Sequence, residues 1–181
     1  MDNIERILEY NKKFVENREY ELYSSSKYPG KKMAVISCMD TRLTELLPAA
    51  LNLKNGDIKI IKNAGAVITH PFGSVMRSLI VAIYELNVEE VLVIGHYDCG
   101  MQGMDTDKLI EKIKNRGICE EKMELISYCG IDYYTWLKGF ESAEESVMET
   151  VNMIVNHPLI PDDIKVYGFV INPETGELHR L

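Results

Sequence analysis

MAVISCMDTR, residues 33–42, and VLVIGHYDCG, residues 91–100, have the same layout. Each begins with a short apolar run rich in β-branched residues and continues into polar residues that include a potential metal ligand. Continuous apolar runs of this length are typical of parallel strands that are buried on both faces. The two segments therefore predict two parallel strands whose carboxyl ends carry reactive side chains.

The rest of the chain alternates strands with helices. Apolar spacing predicts helices over about 2–18, 44–51, 74–86, 105–115 and 141–156. It predicts further strands over 57–62 and 165–171, then a turn over 172–176 and an edge strand over 177–181. This order indicates the α/β class, with a mostly parallel central β-sheet of about four to five strands flanked by helices. For residues 116–140 the sequence predicts only helices or loops that cover the sheet.

Length and charge limit the classes of protein to consider. The chain has 181 residues and a net charge of −8, so we expect one domain over 1–181 and no nucleic-acid partner. No apolar run approaches the ~18 residues of a membrane span, and the first residues lack the pattern of a signal peptide. We therefore expect no membrane partner and a cytoplasmic location.

The predicted strand ends bring together residues of types that can bind zinc. Cys38 ends the first run, and His96 and Cys99 follow the other. Carboxyl ends of parallel strands meet at one sheet edge, and two thiolates with one imidazole suit tetrahedral zinc. Three protein ligands leave one position open, as in catalytic sites. The alternative is a small buried cysteine and an ordinary loop histidine.

These residues also carry a resemblance to a known family. Cys-x-Asp-x-Arg at 38–42 followed by His-x-x-Cys-Gly at 96–100 resembles the signature of the β-class carbonic anhydrases. Asn-Ala-Gly at 63–65 is similar to a loop of that family, and the likeness spans about 31–176. With Val35 three residues before the first cysteine, where some members carry Trp, the chain is more similar to the short microbial branch.

The resemblance implies a role for each site residue. Cys38, His96 and Cys99 would bind one Zn²⁺ per chain, with Asp40 and Arg42 as the catalytic pair. In the family, this Asp either pairs with the Arg or takes the open metal position, and the sequence does not choose between the two states. Without the neighbouring Cys38, the pair would read as an ordinary surface ion pair.

The implied activity is the reversible hydration of CO2 to bicarbonate and a proton by zinc-bound hydroxide. Two thiolate ligands cancel the zinc charge, so the bound water should ionise at a higher pH than in a three-histidine site. Ala64, Gly65 and Gly100 are expected to bind substrate, because small residues let the backbone line the pocket and Gly100 allows close approach beside a ligand.

Alternative functions and partners remain open at this stage. Zinc hydroxide can also attack carbonyl sulfide or carbon disulfide, and a non-catalytic zinc protein of this fold is a third possibility. The resemblance implies a homodimer or higher even homo-oligomer in which the helical arm, residues 1–30, packs on a partner subunit.

His70 is expected to be either a proton shuttle or a solvated loop residue. We expect His157 and His179 at the surface and free thiols at Cys119 and Cys129.

Overall fold

A five-stranded sheet forms the centre of the computed structural model, which describes residues 2–181. Its strands are β1 (Met33–Cys38), β2 (Ile58–Asn63), β3 (Glu90–His96), β4 (Lys165–Ile171) and β5 (Leu178–Arg180). Their order across the sheet is β2-β1-β3-β4-β5. The first four strands are parallel, and β5 runs antiparallel to β4. The predicted class and the mostly parallel sheet are confirmed.

Residues 2–181 contain seven α-helices, of which α1 precedes the first strand and the other six connect the strands. They are α1 (Asn3–Glu16), α2 (Leu43–Ala50), α3 (Ser74–Leu86), α4 (Thr106–Asn115), α5 (Glu120–Tyr128), α6 (Tyr133–Leu137) and α7 (Ala143–Val155). Residues 116–140, which sequence patterns left unassigned, form α5, α6 and the loops around them. Among residues 2–181, no helix is long and apolar enough to cross a membrane.

Both faces of the sheet are packed, which explains its continuous apolar strands. On one face, Ala34 and Ile36 of β1 share a cluster with Leu79 of α3 and Val147 of α7. On the other face, a second cluster joins the strands to α2. Its buried members are Val35, Cys38, Leu43, Leu47, Leu92, Ile94, Cys99 and Ile171. A strand that is buried on both faces has no solvent-facing positions to fill with polar residues, so it loses the polar alternation of a half-exposed strand.

The strand order creates a crevice between β1 and β3. The chain passes from β1 to β2 on one side and then returns to place β3 on the other side of β1. In open parallel sheets, ligands bind outside the carboxyl ends of the strands at such a reversal of strand order. Residues at the ends of β1 and β3 therefore occupy the position that this fold uses for binding.

Helix α1 lies apart from the packed body. Asp2 caps it by accepting a hydrogen bond from the Glu5 N–H (2.8 Å), and the Glu5 side chain accepts one from the Asp2 N–H (2.9 Å). These two bonds form a capping box that defines the start of the helix. Within the described chain, none of its 14 residues is buried, and the Ile4, Ile7 and Leu8 side chains are each more than 60% exposed. In a single chain, the apolar side of α1 is therefore not packed against a hydrophobic core.

Candidate metal centre

The three predicted metal ligands converge at the crevice. Cys38 is the last residue of β1, His96 is the last residue of β3, and Cys99 lies in the turn that follows. One ligand atom from each residue lies within 4.8 Å of the other two, and the two sulfur atoms are 3.9 Å apart. All three side chains are buried. Residues 58 positions apart in sequence thus meet because β1 and β3 are adjacent strands.

The imidazole of His96 is oriented for metal binding. Its Nδ1 lies 2.8 Å from the Tyr97 carbonyl oxygen, and a carbonyl can only accept, so Nδ1 carries the proton. Nε2 is then left with a free lone pair. This atom is buried, in a residue that is 1% exposed, and has no hydrogen-bond partner among the described residues. A buried polar atom without a partner is costly, and a metal ion bound there would satisfy it.

The two thiols share one negative charge. A hydrogen bond from Cys99 lowers the pKa of Cys38 to about 4, although burial opposes the shift. The pKa of Cys99 is raised, first by that same hydrogen bond and then by burial. Burial and the hydrogen bond between the two sulfur atoms therefore favour one proton shared by the pair when no cation is present. Two thiolates side by side need a bound cation, and zinc favours this set of sulfur and nitrogen ligands.

Asp40 faces the metal ligands but is held by Arg42. The guanidinium donates from Nε to Oδ1 (3.0 Å) and from Nη2 to Oδ2 (2.9 Å), and the Arg42 backbone N–H adds a third bond to Oδ1 (2.9 Å). These bonds lower the pKa of Asp40 to about 2, so its carboxylate is ionised at neutral pH. Oδ2 lies 3.9 Å from His96 Nε2, which places a charged oxygen beside the ligand set.

Asp98 is a second partner of Arg42 that sequence reasoning missed. Its carboxylate Oδ2 accepts from Arg42 Nη1 (2.9 Å), and its carbonyl oxygen accepts from Nη2 (2.9 Å). The available signal was its position, since Asp98 stands between two predicted metal ligands, His96 and Cys99. Nothing in the spacing alone indicated that it reaches Arg42, 56 positions earlier.

Gly65 contacts a metal ligand through its backbone. Its N–H points to the Cys38 sulfur at 3.4 Å. The Asn63 side chain holds the loop by donating to the Val67 carbonyl and accepting from the Val67 N–H (3.2 Å). Gly65 has φ +82°, and a Cβ there would lie 2.9 Å from the Phe140 ring, so only glycine fits without strain. Asn63 was missed as a supporting residue, although it belongs to the quoted Asn-Ala-Gly segment.

The residues predicted to bind substrate lie in three different environments. Ala64 lines a cavity of about 810 Å³, whereas Gly65 is buried behind it. Gly100 is exposed, and a Cβ built there meets no atom of the described residues within 4 Å. Contact of these three residues with substrate stays a prediction.

The large cavity approaches the metal centre from one side. Met101 and Phe140 line it and also pack against the cluster that contains Cys38 and Cys99. Further along, its wall includes Val67, Leu109 and Trp136, with Glu145 and Glu149 of α7. The cavity therefore reaches the neighbourhood of the ligands along a wall that mixes apolar and polar side chains.

The remaining histidines and cysteines lie away from the three ligands. His157 was expected at the surface, and this was wrong: it is 4% exposed, and the Phe72 ring lies 5.3 Å from its ring. His70 is exposed on the wall of the large cavity, so both of its predicted roles stay open. Cys119 and Cys129 flank α5 at its opposite ends, and both are exposed.

Comparison with known proteins assigns the family. The model of the family described as "Carbonic anhydrase" matches residues 33–178. A Bacillus subtilis (strain 168) relative, "Putative carbonic anhydrase YtiB", is 58% identical over 181 residues, covering 100% of this chain and 97% of the relative. The solved β-carbonic anhydrase isoform I from Trichomonas vaginalis is 33% identical, with a TM-score of 0.90 and coverage of 99% and 97%. The chain belongs to the β-carbonic anhydrase family.

More distant relatives carry another activity in their names. A carbon disulfide hydrolase from Acidithiobacillus thiooxidans is 29% identical over 155 residues, which cover 82% of this chain and 76% of the relative. A distant relative that covers about four fifths of this chain therefore carries the name of a different activity.

Proposed function

We propose that this chain catalyses the reversible hydration of CO2 to bicarbonate and a proton, with one Zn²⁺ held by Cys38, His96 and Cys99. The observation that supports it best is the buried, unpartnered Nε2 of His96 facing two adjacent sulfur atoms and an ionised Asp40. The three ligands leave a fourth position for the reaction, as catalytic zinc sites do.

Each residue has a separate task in this proposal. Zinc, when bound, lowers the pKa of a coordinated water towards neutrality, so that hydroxide is available to attack CO2. With the metal bound, Asp40 would accept a hydrogen bond from the attacking hydroxyl group through Oδ2 and so orient that group towards the carbon atom of CO2. Arg42 keeps Asp40 ionised and oriented, because its guanidinium occupies both carboxylate oxygens. This pairing corresponds to the state in which the Asp leaves the fourth metal position open.

Substrate entry is assigned to the small residues beside the ligands. Ala64 lines the large cavity, the Gly65 N–H points to the Cys38 sulfur, and Gly100 directly follows Cys99. CO2 is small and uncharged, so its path needs no charged side chain to bind it.

The reduced thiols that this ligand set requires suit a reducing compartment, and we include a cytoplasmic location in the proposal.

Stopped-flow CO2 hydration on protein of measured zinc content tests the activity. We expect turnover at about pH 7 and a higher rate at about pH 8.5, because two thiolates reduce the acidity of the coordinated water. Removal of zinc with a chelator should abolish turnover, and added zinc should restore it. Zinc-loaded protein that hydrates no CO2 at either pH but hydrolyses carbon disulfide or carbonyl sulfide would replace the proposed substrate. Purified protein that binds no zinc would overturn the ligand assignment.

The proposal includes a homodimer, or a higher even homo-oligomer, in which the arm packs on a second copy. Helix α1 leaves Ile4, Ile7 and Leu8 exposed, and burying such side chains is worth roughly 1.5–3 kcal/mol each. A surface of this kind gains from burial against another subunit.

Deleting residues 1–18 should convert the assembly to monomers. Light scattering after gel filtration would report about half the wild-type mass if the native form is a dimer. The matched control is Ile4→Leu, which keeps the apolar side of α1 and should keep the wild-type mass. An unchanged mass for the deletion variant would show that the arm does not hold the subunits together.

A further inference from the structure

The Arg42 guanidinium is held between two acidic residues. Nε and Nη2 bind the carboxylate of Asp40, and Nη1 and Nη2 bind Asp98. Asp98 uses two different groups, since its carboxylate and its carbonyl oxygen each accept at 2.9 Å. The planar guanidinium can turn about its own side-chain bonds only if these contacts break together.

The backbone at Asp98 is shaped for this contact. Its φ is +52°, in the left-handed region that most non-glycine residues avoid and that Asp and Asn tolerate best. His96 lies two positions before Asp98 and Cys99 directly after it, so one short segment supplies two metal ligands and an anchor for Arg42. A residue in this conformation is often maintained by surrounding contacts at a functional site.

We propose that Asp98 is a positioning residue that holds the Arg42 guanidinium against Asp40. Asp40 Oδ2 lies only 3.9 Å from His96 Nε2, so a carboxylate released by Arg42 is close enough to compete for the open metal position. By restraining Arg42 at Nη1 and Nη2, Asp98 keeps that position available. The consequence for turnover rests on the proposed carbonic anhydrase activity, whereas the restraint on Arg42 does not.

The size of the effect follows from the exposure of Asp98. Its side chain is 85% exposed, and exposed ion pairs are weak because water and salt screen them. The restraint therefore only shifts the equilibrium between an Arg42 that is bound to Asp40 and one that has released it. We expect loss of the carboxylate to lower kcat by about threefold to fivefold, with KM and zinc content close to wild type. Loss of a metal ligand would reduce zinc content instead.

Side-chain NMR of the zinc-loaded protein tests the restraint without using activity. In Asp98→Gly, which suits the positive φ but removes the carboxylate, we expect the Arg42 Nε–H to exchange with water several-fold faster than in wild type. Asp98→Asn keeps a neutral acceptor and the backbone conformation, so its exchange rate should lie between the two. Asp162→Asn, at an exposed aspartate in another loop, is the matched control and should leave the Arg42 signal unchanged.

A double-mutant comparison tests the route by which Asp98 acts. If Asp98 works through Arg42, adding Asp98→Gly to Arg42→Ala should cause no further loss of kcat. Unchanged exchange of the Arg42 Nε–H in Asp98→Gly, or full additivity of the two losses, would overturn the proposal. Absence of CO2 hydration in the wild-type protein would instead refute the proposed function. The NMR result alone would then decide whether Asp98 restrains Arg42.

Discussion

Replacing Cys99 with alanine should give a folded chain that no longer retains zinc. The substitution removes one of two sulfur ligands and leaves only Cys38 and His96 from the set. Loss of a residue that merely supports a ligand costs about 10–100-fold in metal affinity, so loss of the ligand itself should exceed about 100-fold.

Metal analysis after gel filtration measures this effect directly. We expect wild type to retain about one zinc per chain and Cys99→Ala to retain almost none, with CO2 hydration lost in parallel. Competition with a coloured chelator gives the change in affinity. Cys119→Ala is the matched control, because Cys119 is an exposed cysteine at the start of α5 and should leave zinc content unchanged. Retention of one tightly bound zinc by Cys99→Ala would show that the metal is held elsewhere.

The convergence of the three candidate ligands was predictable from two strand ends together with the resemblance to a known family. Cys38 and His96 follow apolar runs that are recognisable without any knowledge of the rest of the chain. Once these runs are read as parallel strands, their carboxyl ends share one edge of the sheet. The strand order that makes β1 and β3 neighbours was not readable from the pattern, yet the prediction needed only that both strands belong to the same sheet.

Contacts set by side-chain direction and loop conformation were not predictable in this way. The left-handed backbone at Asp98 and the bonds of Asn63 across its loop depend on tertiary packing, which leaves no periodic signal in the sequence. His157 was read as exposed because Pro158 follows it, whereas the Phe72 ring covers it.

Asp40→Asn should separate metal binding from turnover. Arg42 lowers the pKa of Asp40 to about 2, so the wild-type carboxylate stays ionised throughout the range in which hydration is measured. Asparagine keeps one acceptor oxygen for Arg42 but loses the negative charge and the second acceptor. Because a positioned proton acceptor contributes about 10²–10⁴-fold to a rate, we expect kcat/KM to fall by at least about 100-fold. Zinc content should remain at about one per chain, since Asp40 is not among the three ligands.

The contrast between Asp40→Asn and Cys99→Ala distinguishes orientation of the nucleophile from retention of the metal. Both variants should be slow, but only the cysteine variant should lack zinc, and only the aspartate variant should keep a wild-type affinity for it. Since Asp40 titrates near pH 2, its loss should lower the rate across the neutral range without removing the rise in rate between about pH 7 and pH 8.5. Asp162→Asn controls for the loss of one negative charge from the chain. Wild-type turnover in zinc-loaded Asp40→Asn would mean that the Asp40–Arg42 pair stabilises the turn after β1 and takes no part in the reaction.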